Sequence, residues 1–313
     1  MSLENSRMQT VSVLMSTYNG EKYLKEQIDS ILAQDGVKVH LLVRDDGSKD
    51  RTIKILNEYV EKGSPITILS ESNLGAEMSF HRLCKYAQEH IQSDYYAFCD
   101  QDDVWEADKL KVAVSKLSSY PYSLPCLYFS NLQMVDADLR SIRQLFAPGE
   151  VVISKRMALI QVFTYGCTCV FNRQTLDDYC KAEFSRELAH DNWIYILSMF
   201  LGHVVYDENS HILYRQHGTN LSGEKVSGIR LALRRIRRAS KGHWGHDFEL
   251  YSSMLIKCFP GRLLQEDEKY VQRIATYRHS FLKRISLMLS RTYRTGNHSK
   301  DFAICMRILF GRL

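Results

Sequence analysis

Short apolar runs alternate with amphipathic segments along the first hundred residues. Each run is four or five residues long and ends in polar residues, as is typical of a buried strand that enters a loop. These runs are Val11–Met15, Val39–Val43, Ile66–Leu69 and Tyr95–Cys99. The segments between them carry apolar residues at helical spacing, such as Leu24, Ile28 and Ile31. Strands that alternate with helices predict an α/β fold, with a mostly parallel sheet and helices on both faces.

The pattern is less regular beyond residue 103. It predicts two helices and three strands, at 110–117, Trp193–Leu201, Leu127–Ser130, Cys167–Phe171 and His203–Tyr206. Polar clusters at 16–20, 45–48 and 100–103 each follow a predicted strand. Because ligands bind beyond the carboxyl ends of the strands in such sheets, these three clusters form the candidate site.

The segment Asp100-Gln101-Asp102-Asp103 places three carboxylates directly after a strand. Such carboxylates repel one another unless a cation joins them, and Mg²⁺ is held in proteins by carboxylates together with substrate phosphates. An ion of this kind, Mg²⁺ or Mn²⁺, would stabilise a diphosphate leaving group. A solvated acidic turn that caps the helix beginning near Glu106 explains the same residues.

The cluster at 45–48 is open to two interpretations of the same kind. In one, Asp46 accepts a hydrogen bond from a nucleobase N–H, next to Tyr18 packing on the base. In the other, the cluster is only a turn, and Ser48 or Asp50 caps the following helix.

Composition narrows the class of protein. The chain has 313 residues, 45% of them hydrophobic, without repeats or low-complexity tracts. No apolar run approaches the roughly 18 residues of a membrane span, and the N-terminal segment MSLENSRMQT lacks the features of a signal peptide. We therefore expect a cytoplasmic protein. Its eight cysteines are scattered without a CxxC pair, which predicts free thiols and no zinc knuckle.

The net charge changes sign along the chain. Residues 1–210 hold 21 Lys/Arg and 29 Asp/Glu, whereas residues 211–313 hold 20 and 7. The basic part has the pattern of amphipathic helices, with apolar stripes that begin at Ile229, Phe281 and Phe302. Such helices bind the surface of anionic membranes, and a helical bundle or a homodimer interface explains the pattern as well. Nucleic acid is a poorer partner, because no recognised binding module accompanies the charge.

Four motifs follow one another in the first part of the chain. They read VSVLMSTYNGEKYLKEQIDSILAQ, VRDDGSKDRT, SNLGA and FCDQDDVWEADKL, and YGCTCVFN, HDNW and YRQHGTNLSG come later. In this order and spacing they resemble the family 2 glycosyltransferases of GT-A fold, and the later motifs resemble a bacterial rhamnosyltransferase-type subgroup that builds cell-wall and capsular polysaccharides. The resemblance covers residues 10–222, so we expect a catalytic domain at 1–222 and a basic helical region at 223–313.

The resemblance implies where the donor binds. Ser16, Thr17 and Tyr18 would lie beside the base and ribose, and Asp46 would read a pyrimidine. Many relatives have a basic residue and an Asn downstream of the NxG motif, whereas this chain reads AEMSFHR there. The role of Arg82, which ends that segment, is therefore left open.

The resemblance also implies a metal site and a general base. Asp100 and Asp102 match the outer positions of the DxD signature, with Asp102 as the direct ligand of Mg²⁺ or Mn²⁺ and Asp103 as a contact of the sugar hydroxyls. Asp191 matches the base that takes the proton of the acceptor hydroxyl; a plain helix cap is the alternative. His217 would bind the metal or the diphosphate, unless its role is structural.

The resemblance implies an inverting glycosyltransferase that uses a nucleotide-sugar donor, with dTDP-rhamnose as the first expectation and a UDP-hexose as the second. The acceptor would be a glycan or a lipid-linked glycan at the inner face of the plasma membrane. A phospho-acceptor signalling domain would give Asp191 no role, and a nucleotidyltransferase would need a glycine-rich phosphate loop after Val11–Met15. An inactive sugar-binding relative would not need Asp46, Asp102 and Asp191 together.

Overall fold

The computed structural model describes residues 7–184, 188–216, 248–290, 295 and 298–313. The strands are β1 Thr10–Thr17, β2 Lys38–Asp45, β3 Ile66–Ser70, β4 Tyr95–Cys99, β5 Val104–Trp105, β6 Cys126–Val135, β7 Ser141–Gln144, β8 Val170–Asn172 and β9 His203–Arg215. The helices of the first 216 residues are α1 Leu24–Leu32, α2 Thr52–Glu61, α3 Ala76–His90, α4 Lys109–Leu117, α5 Lys155–Ala158, α6 Arg173–Tyr179 and α7 His190–Leu201. Those near the C-terminus are α8 Phe248–Cys258, α9 Gln265–Thr276, α10 Phe281–Leu289 and α11 His298–Leu309. His217 and the stripe that begins at Ile229 lie outside the described residues.

All nine strands belong to one mixed sheet, in the order β3-β2-β1-β4-β8-β6-β9-β5, with β7 paired to β6. Strands β3, β2, β1 and β4 run parallel to one another. Strand β8 then runs antiparallel to both β4 and β6, while β6 and β9 are parallel. The α/β class is confirmed, and the parallel pairing predicted for the first hundred residues is found there.

The register of the parallel strands brings the polar clusters to one edge of the sheet. Met15 of β1 lies opposite Val43 of β2 and Cys99 of β4, so the chain leaves all three strands at the same level. These strands are apolar on both faces because helices cover both, as in other doubly covered parallel sheets. The predicted site therefore has a physical basis in strand register.

Two predicted strands differ from the structure. The strand predicted at Cys167–Phe171 begins only at Val170, because residues 166–168 form a 3₁₀ turn. In that turn the N–H of Thr168 donates to the carbonyl of Tyr165, which removes it from the sheet ladder. The strand predicted at His203–Tyr206 continues to Arg215, since it pairs with β6 along its length.

The chain forms two compact units. One comprises residues 1–151 and 163–216 and contains the sheet; the other comprises residues 152–162 and 217–313. Within the second unit, Lys155 Nζ lies 2.6 Å from Asp267 Oδ2, and the Tyr270 hydroxyl donates to the carbonyl of Arg156 at 2.6 Å. The boundary predicted between residues 222 and 223 lies outside the described residues and stays a prediction.

Helices α10 and α11 lie where the apolar stripes from Phe281 and Phe302 predict helices. In the part of the chain that the structure describes, no helix combines the length and apolar composition needed to cross a bilayer. All eight cysteines are free thiols, as predicted.

Candidate active site

The acidic segment after β4 is largely withdrawn from solvent. Asp103 is buried, and its Oδ1 accepts a hydrogen bond from the backbone N–H of Arg215 at 3.1 Å. Its Oδ2 has no hydrogen-bond partner within the described residues. Burial, followed by the charges of Asp102 and Asp100, holds the pKa of Asp103 well above its usual range. Burial and then the Asp102 charge raise the pKa of Asp100 to about 7. The three carboxylates form one repulsive cluster, which a cation would stabilise.

Asp191 joins this cluster from the first turn of α7. Burial raises the pKa of Asp191, and its own charge contributes to the raised pKa of Asp100. Its Oδ1 also accepts a hydrogen bond from the backbone N–H of Asn192 at 2.7 Å, a contact of the capping kind. The features behind both interpretations of Asp191, the base and the cap, are therefore present together.

A carboxylate from α3 reaches the start of α7. Glu77 Oε2 accepts hydrogen bonds from the backbone N–H of His190 at 3.0 Å and from its ring Nδ1 at 2.9 Å. Although burial opposes the charge on the ring, the Glu77 carboxylate outweighs it and raises the pKa of His190. The His190 ring thus lies next to Asp191 and within electrostatic range of Asp100.

The loop after β1 is fixed to the acidic segment through Gln101. The side-chain Oε1 of Gln101 accepts from the backbone N–H of Tyr18 at 2.9 Å, and its Nε2 donates to the Tyr18 carbonyl at 3.1 Å. The Tyr18 side chain is 47% exposed. A rigid backbone beneath an exposed aromatic ring is suited to stacking on a flat base.

The hydroxyls of the same loop make internal contacts. Ser16 Oγ donates to Ser79 Oγ at 2.7 Å. Thr17 is fully buried, and its Oγ1 donates to Asp45 Oδ1 at 3.0 Å. Both side chains hold the loop in place, and a direct contact of Ser16 or Thr17 with a base or ribose stays a prediction.

Asp46 is buried at the end of β2. Its Oδ1 accepts from Arg44 Nη1 and from the backbone N–H of Leu74 at 2.7 Å, and its Oδ2 accepts from the N–H of Gly75 at 2.9 Å. A carboxylate has about four lone-pair sites, so Oδ2 retains one for a further N–H donor. Reading of a pyrimidine by Asp46 is compatible with these contacts and stays a prediction.

The acidic segment fits a divalent cation. Oxygen atoms of Asp100 and Asp103 and the sulfur of Cys167 lie within 4.8 Å of one another. Burial, then the Asp103 charge, holds the pKa of Cys167 well above its usual range, so this thiol is a poor ligand and the hard oxygen atoms remain. The unpartnered Oδ2 of Asp103 and the raised pKa of Asp100 are what a bound Mg²⁺ or Mn²⁺ would relieve. Asp102 is not in this group of atoms, although its charge acts on both neighbours.

Two further arginines near the predicted site, Arg82 and Arg215, also have carboxylate partners. Arg215 Nη2 pairs with Glu26 Oε2, and its Nε donates to the backbone carbonyl of Asp102 at 2.9 Å. Arg82 Nη2 lies 3.6 Å from Glu71 Oε1 and is half-exposed. Arg215 therefore holds the backbone of the acidic segment. A contact between Arg82 and a diphosphate stays untested.

Sequence reasoning missed Glu77 and Gln101. A signal existed for Glu77, because it lies in the stretch that departs from the usual pattern of relatives. Gln101 lies between two candidate ligands, and nothing in its type indicated that it would bind the backbone of another loop. Of the predicted residues, Asp100, Asp103 and Asp191 are brought together, and His217 lies outside the described residues.

Comparisons with known proteins agree with this geometry. Residues 12–180 match the family described as Glycosyl transferase family 2. The dTDP-rhamnosyl transferase RfbG of Shigella flexneri is 31% identical over 230 residues, which are 68% of this chain and 75% of that protein.

Solved structures are similar in fold at lower identity. The complex of S. aureus TarS 1-349 with UDP-GlcNAc is 18% identical with a TM-score of 0.58, and covers 96% of this chain and 79% of its own. The mannosyltransferase PcManGT from Pyrobaculum calidifontis, in complex with GDP-Man and Mn²⁺, is 18% identical with a TM-score of 0.51. The match covers 98% of this chain and 89% of that one. The predicted GT-A fold is confirmed, and the chain belongs to glycosyltransferase family 2.

Proposed function

We propose that the protein transfers a sugar from a nucleoside diphosphate donor to a hydroxyl of a glycan or lipid-linked acceptor, with inversion, in the synthesis of a bacterial cell-surface polysaccharide. The observation that carries the proposal is the shared cluster of Asp100, Asp103 and Asp191, drawn from β4 and α7. It combines a cation site with a carboxylate base. dTDP-rhamnose is the first donor to test, because the Shigella flexneri relative is a dTDP-rhamnosyl transferase.

In this proposal Asp100, Asp102 and Asp103 hold Mg²⁺ or Mn²⁺. The bound ion supplies charge neutralisation to the departing diphosphate. His217, outside the described residues, is a further proposed ligand of the metal or the diphosphate. The structure of PcManGT is a complex with GDP-Man and Mn²⁺, which supports the choice of ion.

The chain's own residues would then orient the donor and move one proton. The exposed ring of Tyr18 packs on the base, and the free lone pair of Asp46 accepts a base N–H. The acceptor oxygen forms a bond to the anomeric carbon while the bond from that carbon to the diphosphate oxygen breaks. Asp191 takes the hydroxyl proton, and the raised pKa of this carboxyl favours proton acceptance near neutral pH.

We also propose that the second unit contacts the inner, cytoplasmic face of the plasma membrane, where a lipid-linked acceptor would lie. Phe281, Leu282 and Leu289 of α10 expose 61%, 76% and 68% of their surface. Phe302 of α11 exposes 67%. Residues 277–313 contain eight Lys/Arg and one Asp/Glu, so apolar side chains and positive charge coincide there. A homodimer through the same face is the alternative.

The decisive experiment is calorimetric titration of the purified protein with dTDP, UDP and GDP, each with and without Mn²⁺. We expect one pyrimidine diphosphate to bind, and to bind only with metal, and we expect Asp102→Ala to weaken this metal-dependent binding. Binding of UDP in preference to dTDP would favour a UDP-hexose donor. No binding of any nucleotide under either condition would overturn the proposed function.

A further inference from the structure

Helix α7 begins without a cap of its own. Its N-cap residue, Ala189, has no side-chain acceptor for the free N–H groups of the first turn. Glu77 of α3 provides one instead, because its Oε2 accepts from the backbone N–H of His190 at 3.0 Å and from the ring Nδ1 at 2.9 Å. One carboxylate oxygen therefore fixes both the first residue of α7 and the orientation of its side chain.

The imidazole ring is held on its other sides as well. It stacks on Phe80 of α3, with ring centroids 3.9 Å apart, and meets the edge of Phe98 of β4 at 4.7 Å. Its Nε2 lies against Gly166, where an added Cβ would come within 2.5 Å of that nitrogen. His190 is thus packed between α3, the strand that leads to the acidic segment, and the 3₁₀ turn, all within one unit.

We infer that Glu77 is a positioning residue for the transfer reaction: by holding His190 it fixes the first turn of α7, and with it the carboxylate of Asp191. This inference rests on the proposed function, in which Asp191 is the base. Asp191 is the next residue after His190, so a change in the first turn of α7 moves its carboxylate relative to the acceptor hydroxyl. In this role Glu77 acts through His190 and Asp191, without contact to donor or acceptor.

The charges of Glu77 and His190 also affect Asp191. The Glu77 carboxylate favours the protonated form of His190 by raising its pKa, and positive charge on that ring opposes the rise in the pKa of Asp191 that burial causes. The ordered helix start holds the Asp191 carboxylate in place, while the His190 charge favours the ionised form, which is the form that can accept a proton. Glu77 therefore orients His190, and His190 orients Asp191, without proton transfer among the three residues.

The test compares Glu77→Gln and Glu77→Ala with the wild-type protein. Glutamine keeps one acceptor oxygen for the His190 N–H but removes the charge, whereas alanine removes both. We expect kcat to fall about tenfold for the first and about 100-fold for the second, since small misplacements of a reacting group cost that much. KM for the donor and the Kd of its nucleoside diphosphate should stay at wild-type values.

Glu89→Gln is the matched control, because Glu89 lies on the same helix beside His90, in a half-exposed pair 3.7 Å apart. Turnover is measured well below the melting temperature of each variant, so that unfolding does not contribute. Wild-type kcat in both Glu77 variants, or a loss confined to donor affinity, overturns the inference and leaves the proposed function intact. Absence of transfer by the wild-type protein with every donor overturns both.

Discussion

Asp191 is the residue on which the proposed chemistry depends most directly. Its carboxyl is partly buried next to the His190 ring, and its Oδ1 also accepts the N–H of Asn192. Asparagine at this position keeps a carbonyl oxygen for that contact and cannot accept the acceptor proton. The two roles of Asp191 can therefore be separated by one substitution.

We expect Asp191→Asn to lower kcat by about 10³-fold and to leave the Kd of the nucleoside diphosphate unchanged, because general base catalysis contributes about 10² to 10⁴. Single-turnover transfer and calorimetry measure the two quantities. Asp138→Asn, on a residue whose side chain is 70% exposed, serves as control. Turnover of Asp191→Asn close to that of the wild-type protein would reduce Asp191 to a helix-start residue.

His81 on α3 makes stability depend on pH. Its ring is buried, its Nε2 donates to the carbonyl of Leu188 at 2.9 Å, and its Nδ1 is bonded to the Tyr179 hydroxyl. Burial, with a contribution from the His190 charge, lowers the pKa of His81 from 6.5 to about 4. Between about pH 6.5 and pH 4, His81 binds a proton in the unfolded chain but not in the folded chain. The free energy of unfolding therefore falls as the pH falls from 6.5 to about 4.

We expect the free energy of unfolding of the wild-type protein to fall by about 2 to 3 kcal/mol more than that of His81→Gln across this window. Denaturant unfolding at a series of pH values measures the difference. His90→Gln, at the half-exposed end of the same helix, should follow the wild-type curve. Parallel curves for His81→Gln and the wild-type protein would show that His81 does not cause the acid sensitivity.

Sequence patterns point to candidate residues whose signal is local and miss contacts that are tertiary. Asp46 and Asp100 are candidates because each follows an apolar run that is typical of a strand. Glu77 lies in a stretch that departs from the pattern of relatives, but neither spacing nor periodicity encodes its contact with His190, 113 residues away. The internal bonds of Thr17 were hidden for the same reason.

At the scale of elements, α10 has two different faces. Leu287 is buried and Arg284 donates to the backbone carbonyl of Arg278 at 2.8 Å, whereas Phe281 and Leu282 point to solvent. An amphipathic helix that keeps its aromatic and aliphatic side chains exposed beside basic residues is suited to the boundary between lipid headgroups and acyl chains.

We expect Phe281→Ser and Leu282→Ser each to weaken binding to phosphatidylglycerol-containing vesicles roughly tenfold, as loss of one buried apolar side chain predicts. Sedimentation with vesicles measures the effect. Leu264→Ser is the control, because Leu264 is 67% exposed and lies outside α10. Equal losses for Leu264→Ser, or a change in oligomeric state in place of vesicle binding, would contradict a membrane role for α10.

Element boundaries were less predictable than element types. The run Cys167–Phe171 is apolar enough for a strand, yet its first residues belong to a 3₁₀ turn in which Gly166 lies against the His190 ring. Strand β9 continues past its apolar start because β6 offers a pairing edge, which no local pattern reveals. In both cases a neighbour in space decided the conformation.

At the scale of the whole molecule, charge is divided between regions with different proposed tasks. Residues 1–210 carry 29 acidic and 21 basic side chains, and residues 211–313 carry 7 and 20. Exposed charges lose their long-range attraction as salt shortens the Debye length, while contacts in a buried site lose less.

We therefore expect vesicle binding to fall steeply as the salt concentration rises to about 1 M, where the Debye length is about 3 Å. Metal-dependent nucleotide binding should weaken much less over the same range. Vesicle sedimentation and calorimetry, run in matched buffers, give the two slopes. Vesicle binding that is insensitive to salt would show that the apolar side chains act without the basic ones.

The compact units do not follow the change of net charge along the chain. Residues 152–162 belong with the C-terminal helices, through contacts such as Lys155 with Asp267. The residues on both sides of this segment belong to the sheet-containing unit. Composition gives no sign that residues 152–162 belong to the other unit. The chain passes between the two units three times, and such a division has no signature in a linear pattern.

The double hydrogen bond between Gln101 and the backbone of Tyr18 has a consequence for building hybrid enzymes. A Cβ on Gly20 would lie 2.2 Å from Gln101 Oε1, so any larger residue at position 20 displaces that amide and frees the loop beneath the Tyr18 ring. Positions 20 and 101 must consequently be varied together in any library. A chimaera designed to exchange donor preference should take residues 1–103 from one parent as a single block. A crossover inside that block would combine the Tyr18 loop of one parent with the acidic segment of the other, and the two would not be matched to each other.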